Sequence, residues 1–300
     1  MFSGCGTALV TPFRADQSVD EDALRNLVRR QIEAGIDFLV PCGTTGESPT
    51  LAEAEHLRVV ELVLEEANGI VPVVAGAGGY NTAEVIHLAR ELESMGVNGI
   101  LSVTPYYNKP TQEGLYQHYK AIAGAITLPI IVYSVQGRTG VNVEPTTVKR
   151  LAGIDSIVGI KEASGNITQM SAILQAVPER FAVLSGDDAI TLPLMALGGR
   201  GVISVVSNEI PAEMTQLVRL CREGNFAAAR ELHRKYLPLM EVNFVESNPI
   251  PVKAALALMD LLEPVWRLPL VPPKPENLAR IEAVLQPLGL RAGRSAHAGD

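Results

Sequence analysis

One lysine, Lys161, closes an apolar run, Ile157-Val158-Gly159-Ile160, that reads as a buried strand. An ammonium taken out of water is costly unless it is paired or gives up its proton. A lysine at a strand end ordinarily turns to solvent, so its neighbours must decide its role. The candidate partners are Gly43-Thr44-Thr45-Gly46-Glu47, Gly76-Ala77-Gly78-Gly79, Thr104-Pro105-Tyr106-Tyr107-Asn108, Tyr133 followed by Gly137-Arg138-Thr139-Gly140, and Ser185-Gly186-Asp187-Asp188. A desolvated lysine is partly a neutral amine near pH 7. Such an amine attacks a ketone, loses water to give an imine, and yields an enamine, a carbon nucleophile. Loss of water from the carbinolamine needs proton carriers, which Tyr133 and the hydroxyls of Thr44 and Thr45 supply. Arg138 offers a fork for a substrate carboxylate.

These residues act together only if one architecture brings them to one place. Strands are predicted at 7–10, 38–41, 71–75, 99–103, 130–133, 157–160, 182–184 and 201–205, each a mostly continuous apolar run bounded by turn residues. Helices are predicted at 20–34, 51–67, 82–95, 112–124, 145–151, 166–176, 189–197 and 211–221, with acidic first turns, Asn or Thr caps and glycine stops. Eight strand–helix units in alternation predict an α/β fold, a (β/α)8 TIM barrel, with the active site at the C-terminal ends of the strands. The rival, a doubly wound open sheet, lacks its Gly-x-Gly-x-x-Gly turn, because Thr11-Pro12-Phe13 follows the first strand. Residues 1–224 are read as the barrel and 225–290 as a C-terminal helical extension, with helices from 226, 251 and 275. The polar stretch 291–300 is read as a flexible tail.

In this order these loops all follow strands, so one rim gathers Thr, Tyr, Arg and Lys side chains. Singly, each piece has an ordinary explanation. Gly-Thr-Thr-Gly is a turn, Tyr106-Tyr107 interface or core packing, Arg138 a surface ion pair, Asp187-Asp188 a helix cap and Cys42 a small apolar filler. Glu162 is expected to point away from Lys161 and to support the strand end.

The 300 residues are 47% hydrophobic and 19% charged, as in a globular enzyme. The formal net charge of −8 and the absence of a basic cluster argue against a nucleic-acid partner. No apolar run approaches a membrane span, and the first residues carry no signal-peptide pattern. Cys5, Cys42 and Cys221 are far apart and odd in number, which suggests reduced thiols and a cytoplasmic location. The scattered histidines give no metal-ligand spacing, so no metal is expected.

At these residues the sequence resembles the dihydrodipicolinate synthases, pyruvate-dependent class I aldolases of the N-acetylneuraminate lyase superfamily. The resemblance runs from about residue 2 to 290. It rests on GTTGESPTL at 43–51, TPYYNKPTQEGLYQHY at 104–119, GRTG at 137–140, GIKEASGN at 159–166, LSGDD at 184–188, GVISV at 201–205 and NPIPVK at 248–253. It implies condensation of pyruvate with L-aspartate 4-semialdehyde through a covalent imine on Lys161, with no metal or organic cofactor. It implies that Tyr133 is the main proton carrier, that Thr45 relays protons to Tyr107 of a neighbouring subunit, and that Thr44 completes the relay and orients Tyr133. Arg138 would hold the semialdehyde carboxylate, while Gly186 and Ile203 would line the pyruvate site. The Tyr107 role implies a homo-oligomer, and the family a tetramer built as a dimer of dimers. Where the family usually reads Asn-Val-Pro after the tyrosine, this chain has Ser134-Val135-Gln136.

Many relatives are inhibited by L-lysine in a cleft at the dimer interface. The resemblance maps that cleft onto Ser48, Pro49, Glu53, His56, Tyr80, Glu84 and Tyr106. Inhibited relatives typically carry asparagine where this chain has Tyr80, and Asn81, one place along, should not substitute, so weak lysine feedback is expected. The competing functions are a related aldolase acting on another aldehyde, a silent barrel that binds a small carboxylate, and a phosphate-ligand enzyme. The glycine-rich Gly198-Gly199-Arg200-Gly201 precedes its strand, the wrong end for phosphate.

Overall fold

The computed structural model describes residues 2–291, so all but Arg291 of the expected tail lies outside the described residues. Eight parallel strands, β1 (Gly4–Ala8), β2 (Phe38–Val40), β3 (Val74–Gly76), β4 (Gly99–Val103), β5 (Ile130–Ser134), β6 (Ile157–Glu162), β7 (Ala182–Ser185) and β8 (Gly201–Ser204), pair in the order β2-β1-β8-β7-β6-β5-β4-β3. A parallel bridge between Leu39 and Val73 joins the two ends and closes the barrel. Around it run α1 (Glu21–Glu33), α2 (Glu53–Ala67), α3 (Thr82–Ser94), α4 (Gln112–Ala123), the single turn α5 (Gln136–Thr139), α6 (Pro145–Leu151), α7 (Ile167–Ala176), α8 (Thr191–Ala196) and α9 (Pro211–Arg222). Then come α10 (Phe226–Val242), α11 (Ile250–Leu258) and α12 (Pro275–Leu285); α10 packs on α8, α9 and α12.

Local chemistry starts the helices where expected. Asp20, Asn81, Thr111, Asn166 and Asn225 each accept a backbone N–H of the first turn. The barrel interior is filled by alternate strand residues, among them Ala8, Phe38, Val40, Val74, Leu101, Ile131, Leu184 and Ile203. A larger apolar layer lies between strands and helices.

Several boundaries differ from the sequence reading; β3, expected at 71–75, spans Val74–Gly76. β1 begins at Gly4 rather than residue 7, because Gly4 and Gly6 carry no side chain that signals a strand. A Cβ on Gly6 would stand 2.1 Å from the Phe38 ring, so the ring takes that space. β6 does not end at Ile160 but continues through Lys161 and Glu162, held in register by Tyr133 and Ser134 on one side and by Leu184 and Ser185 on the other. The helix expected at 189–197 is a 3-10 turn, Asp188–Ile190, followed by the short α8.

Candidate active site

Tyr133 of β5 and Lys161 of β6 are register partners. In a parallel pair such partners face the same side, here the barrel mouth. Lys161 is 4% exposed and Tyr133 6% exposed. The Lys161 Nζ stands 4.3 Å from the centre of the Tyr133 ring. Burial lowers the Lys161 pKa to about 7; Arg138 pushes it the same way, and only the through-space attraction of Asp188 opposes them. Burial raises the Tyr133 pKa, while Arg138 and a hydrogen bond with Thr44 pull it back. The site thus holds an amine that loses its proton readily beside a phenol that keeps one.

Glu162, the next residue, faces the other way. Its carboxylate is buried and accepts from Gln169 Nε2 at 2.7 Å and from the Ser164 N–H at 3.2 Å. Asp188 is also buried; one oxygen accepts the N–H groups of Val205 and Val206 at 3.0 and 2.9 Å, which locks the turn after β8. Burial pushes its pKa up to about 6. Asp187 caps the 3-10 turn that follows it, Asp188–Ile190, by accepting the Ala189 N–H. Gly186 leaves room for the lysine stem, since a Cβ there would meet Ala163 Cβ at 2.6 Å and Lys161 Cγ at 3.2 Å. Ile203 is fully buried in the barrel interior.

The loop after β2 sets the two threonines apart. Thr44 is half-buried and faces Tyr133. Thr45 is 2% exposed, and its Oγ1 accepts from Asn248 Nδ2 at 3.0 Å. The hydroxyl that meets Tyr133 is therefore that of Thr44, and the hydroxyl of Thr45 meets Asn248. Cys42 and Glu47, flanking the loop, hold left-handed φ of 55° and 54°. Both Cys42 and its thiol are buried, which suits the filler role. Glu47 is sealed inside the protein, where Lys253 Nζ donates to its Oε1 at 2.5 Å; both side chains are 0% exposed. Arg138, on α5, donates through Nη2 to the Asn248 carbonyl at 3.0 Å.

Outward from this mouth, a cavity of about 550 Å³ is lined at one end by Thr44, Tyr133 and Arg138, and at the other by Ser48, Pro49, Glu53, His56, Tyr80, Glu84 and Tyr106. All the residues mapped to the lysine cleft thus share one space with catalytic candidates. Tyr80 and Tyr106 meet edge to face with centroids 5.1 Å apart. Asn81 is committed to capping α3 and also donates to Glu84 Oε1 at 2.8 Å. Tyr107 projects away from the chain, 88% exposed. Among the described residues no group of three or more His, Cys, Asp or Glu side chains is placed to hold a metal ion, and no helix is long and apolar enough to cross a membrane.

Sequence reasoning gave no role to Asn248, Glu47 or Lys253. The available signal was NPIPVK itself, a polar residue and a lysine flanking prolines in an otherwise apolar helical extension. Nothing local in that motif indicates that it reaches a loop some 200 residues earlier.

The model of the "Dihydrodipicolinate synthetase family" matches residues 1–288. The 4-hydroxy-tetrahydrodipicolinate synthase of Koribacter versatilis (strain Ellin345) is 54% identical over 96% of this chain and 96% of its own. The crystal structure of dihydrodipicolinate synthase from Aquifex aeolicus superposes with a TM-score of 0.95 at 44% identity, covering 97% of this chain and 100% of that one. The lysine-bound enzyme from Cyanidioschyzon merolae superposes with a TM-score of 0.93 at 40% identity, covering 96% and 99%.

Proposed function

Because the chain belongs to the dihydrodipicolinate synthetase family, we propose a residue-level account of the reaction that this membership brings. The chain is a lyase that condenses pyruvate with L-aspartate 4-semialdehyde in the diaminopimelate route to lysine. One observation carries the account: a buried amine with a pKa near 7, 4.3 Å from the ring of its register partner Tyr133.

Neutral Lys161 Nζ attacks the C2 carbonyl carbon of pyruvate. Tyr133 delivers the proton with which the carbinolamine hydroxyl leaves as water, and the protonated imine forms. Loss of a C3 proton gives the enamine, with the imine nitrogen taking the electron pair. C3 then attacks the aldehyde carbon of the semialdehyde, whose oxygen takes up a proton. The semialdehyde amine next adds to C2, and Lys161 leaves as the ring closes. Thr44, on Tyr133, is the next member of the proton path. Tyr107, almost wholly exposed on one chain, fits a role completed by a second copy, so the working unit is a homo-oligomer of at least two chains, in the family's manner a tetramer. Thr45, Gly186 and Ile203 bound the pyruvate end, and Arg138 binds the semialdehyde carboxylate. A fork for a carboxylate favours this substrate over a sugar tail, which needs hydroxyl partners.

Borohydride reduction in the presence of pyruvate tests the account. Mass spectrometry should place the reduced adduct on Lys161. An adduct on another lysine, or none, would overturn it.

A further inference from the structure

We propose that Asn248 is a positioning residue for the pyruvate end of the site, acting through Thr45; this rests on the function proposed above. The chain before α11 passes the barrel mouth, and Asn248 is 5% exposed there. Its amide N–H donates to Thr45 Oγ1 at 3.0 Å, and its carbonyl accepts from Arg138 at 3.0 Å. One residue of the extension therefore touches both anion-binding groups of the site. Lys253, one turn into α11, grips Glu47 at the far end of the same loop. The 43–47 loop is thus held at two points by the 248–253 segment.

The direction of the Asn248–Thr45 bond gives the contact its chemistry. A hydroxyl has one proton and two lone pairs. With an Asn248 N–H on one lone pair, Thr45 keeps its proton free to donate elsewhere, and the carboxylate of pyruvate is the acceptor the site brings. Asn248 Oδ1 is buried without a partner, so the contact works through the N–H alone. Replacing the amide by a carboxylate would reverse the bond: the Thr45 proton would turn to residue 248 and be lost to the substrate. The Arg138 contact is to the backbone carbonyl, survives side-chain changes, and supplies an internal control.

Steady-state kinetics on the full-length enzyme test this with N248A, N248D, T45V and the double variant N248A/T45V. N248A should raise KM for pyruvate roughly tenfold, the worth of one hydrogen bond to a charged path, with little change in kcat or in KM for the semialdehyde. N248D should raise it further. Adding N248A to T45V should change little, because the route through Thr45 is already cut. Multiplicative effects in the cycle, or equal rises in both KM values, would overturn the proposal and leave Asn248 a fold support. If N248A does not fold, N248D, nearly isosteric, decides on the same KM split. Borohydride trapping of pyruvate on wild-type Lys161 runs alongside. Its failure would remove the reaction account, whereas success with a multiplicative cycle would remove only the role of Asn248.

Discussion

Two lysines of this chain lie out of water, one in the barrel mouth and one in the seam between barrel and extension, and they have opposite surroundings. Lys253 donates to Glu47 at 2.5 Å and lies over the Phe13 ring at 4.3 Å, whose neighbourhood it shares with the Arg267 guanidinium. Lys161 lies over the Tyr133 ring instead, and Asp188 reaches it only through space. Burial lowers both pKa values, but at Lys253 the carboxylate of Glu47 opposes it directly. An ammonium sealed with a carboxylate is a strut. An amine sealed without one is a nucleophile. Burial alone does not make a lysine reactive; burial with the counter-charge withheld does.

The sharpest way to break this contrast is to exchange the roles. K161A should lower turnover by several orders of magnitude, as loss of a covalent nucleophile does, and should abolish pyruvate trapping. In the wild type the trapped adduct should be absent from Lys253, and peptide mapping reads both sites in one digest. E47Q and K253M should instead be stability variants. Each leaves half of a buried ion pair, costing about 3–5 kcal/mol, read from urea midpoints at unchanged slope. The double variant E47L/K253M should recover most of that loss, because an apolar pair of similar volume needs no counter-charge. Both single variants, where folded, should still trap pyruvate on Lys161. If K253M abolished trapping but left stability intact, the strut reading would fail.

Arg138 tests the mouth from the other side. R138A should reduce use of the semialdehyde by about ten- to a hundredfold, the worth of a charge-assisted hydrogen bond of roughly 1.5–3 kcal/mol, while imine formation persists. A smaller effect follows from pH. The reactive form of Lys161 is neutral, so single-turnover imine formation should fall as pH drops through about 7, approaching tenfold per unit at lower pH. The stability effect has a definite sign too. The folded pKa lies below the unfolded value of about 10.4, so the unfolded chain binds more protons between the two, and stability rises with pH across that window. K161M should flatten that rise in urea titrations at pH 7 to 10, whereas a flat wild-type profile would contradict the lowered pKa.

The two lysines were not equally legible in the sequence. Lys161 stands at the end of an apolar run, and its partners follow other strands in barrel order, so periodicity and loop chemistry brought the rim together. Lys253 lies in a short, mostly buried apolar helix, and its partner is 206 residues away. No periodic pattern encodes such a contact, and a lysine in a helix reads as solvated. The division of labour between Thr44 and Thr45 is not encoded in periodicity either. Adjacent residues of a tight loop point different ways, and only the backbone path, with left-handed turns at Cys42 and Glu47, decides which hydroxyl meets Tyr133. β1 was misplaced because its glycines make space for neighbours, Gly4 for Asp37 and Gly6 for Phe38, rather than a hydrophobic signal.

A third ammonium, that of free L-lysine, gives the smallest expected effect. The outer cleft has a carboxylate for it in Glu84, but Asn81 already donates to that carboxylate at 2.8 Å. The amide of Asn81 is spent on this contact and on capping α3, so it is not free to hold an amino-acid head group. Tyr80, half-exposed, fills part of the space edge-on to Tyr106, with a ring and one hydroxyl in place of an amide. Burial and the nearby Tyr80 and Glu84 raise the Tyr106 pKa, so its phenol remains a donor for a carboxylate. The cleft therefore offers partners for two ends of a lysine molecule but no free amide to join them. Losing one or two such bonds costs on the order of 1.5–3 kcal/mol, which moves a submillimolar inhibitor to the millimolar range or beyond. Titrating L-lysine into the condensation assay should give little inhibition below about 1 mM, roughly −4.1 kcal/mol. Y80N should strengthen it by about tenfold or more. Full inhibition of the wild type at micromolar lysine would mean that the Tyr80–Tyr106 pair itself forms the head-group site.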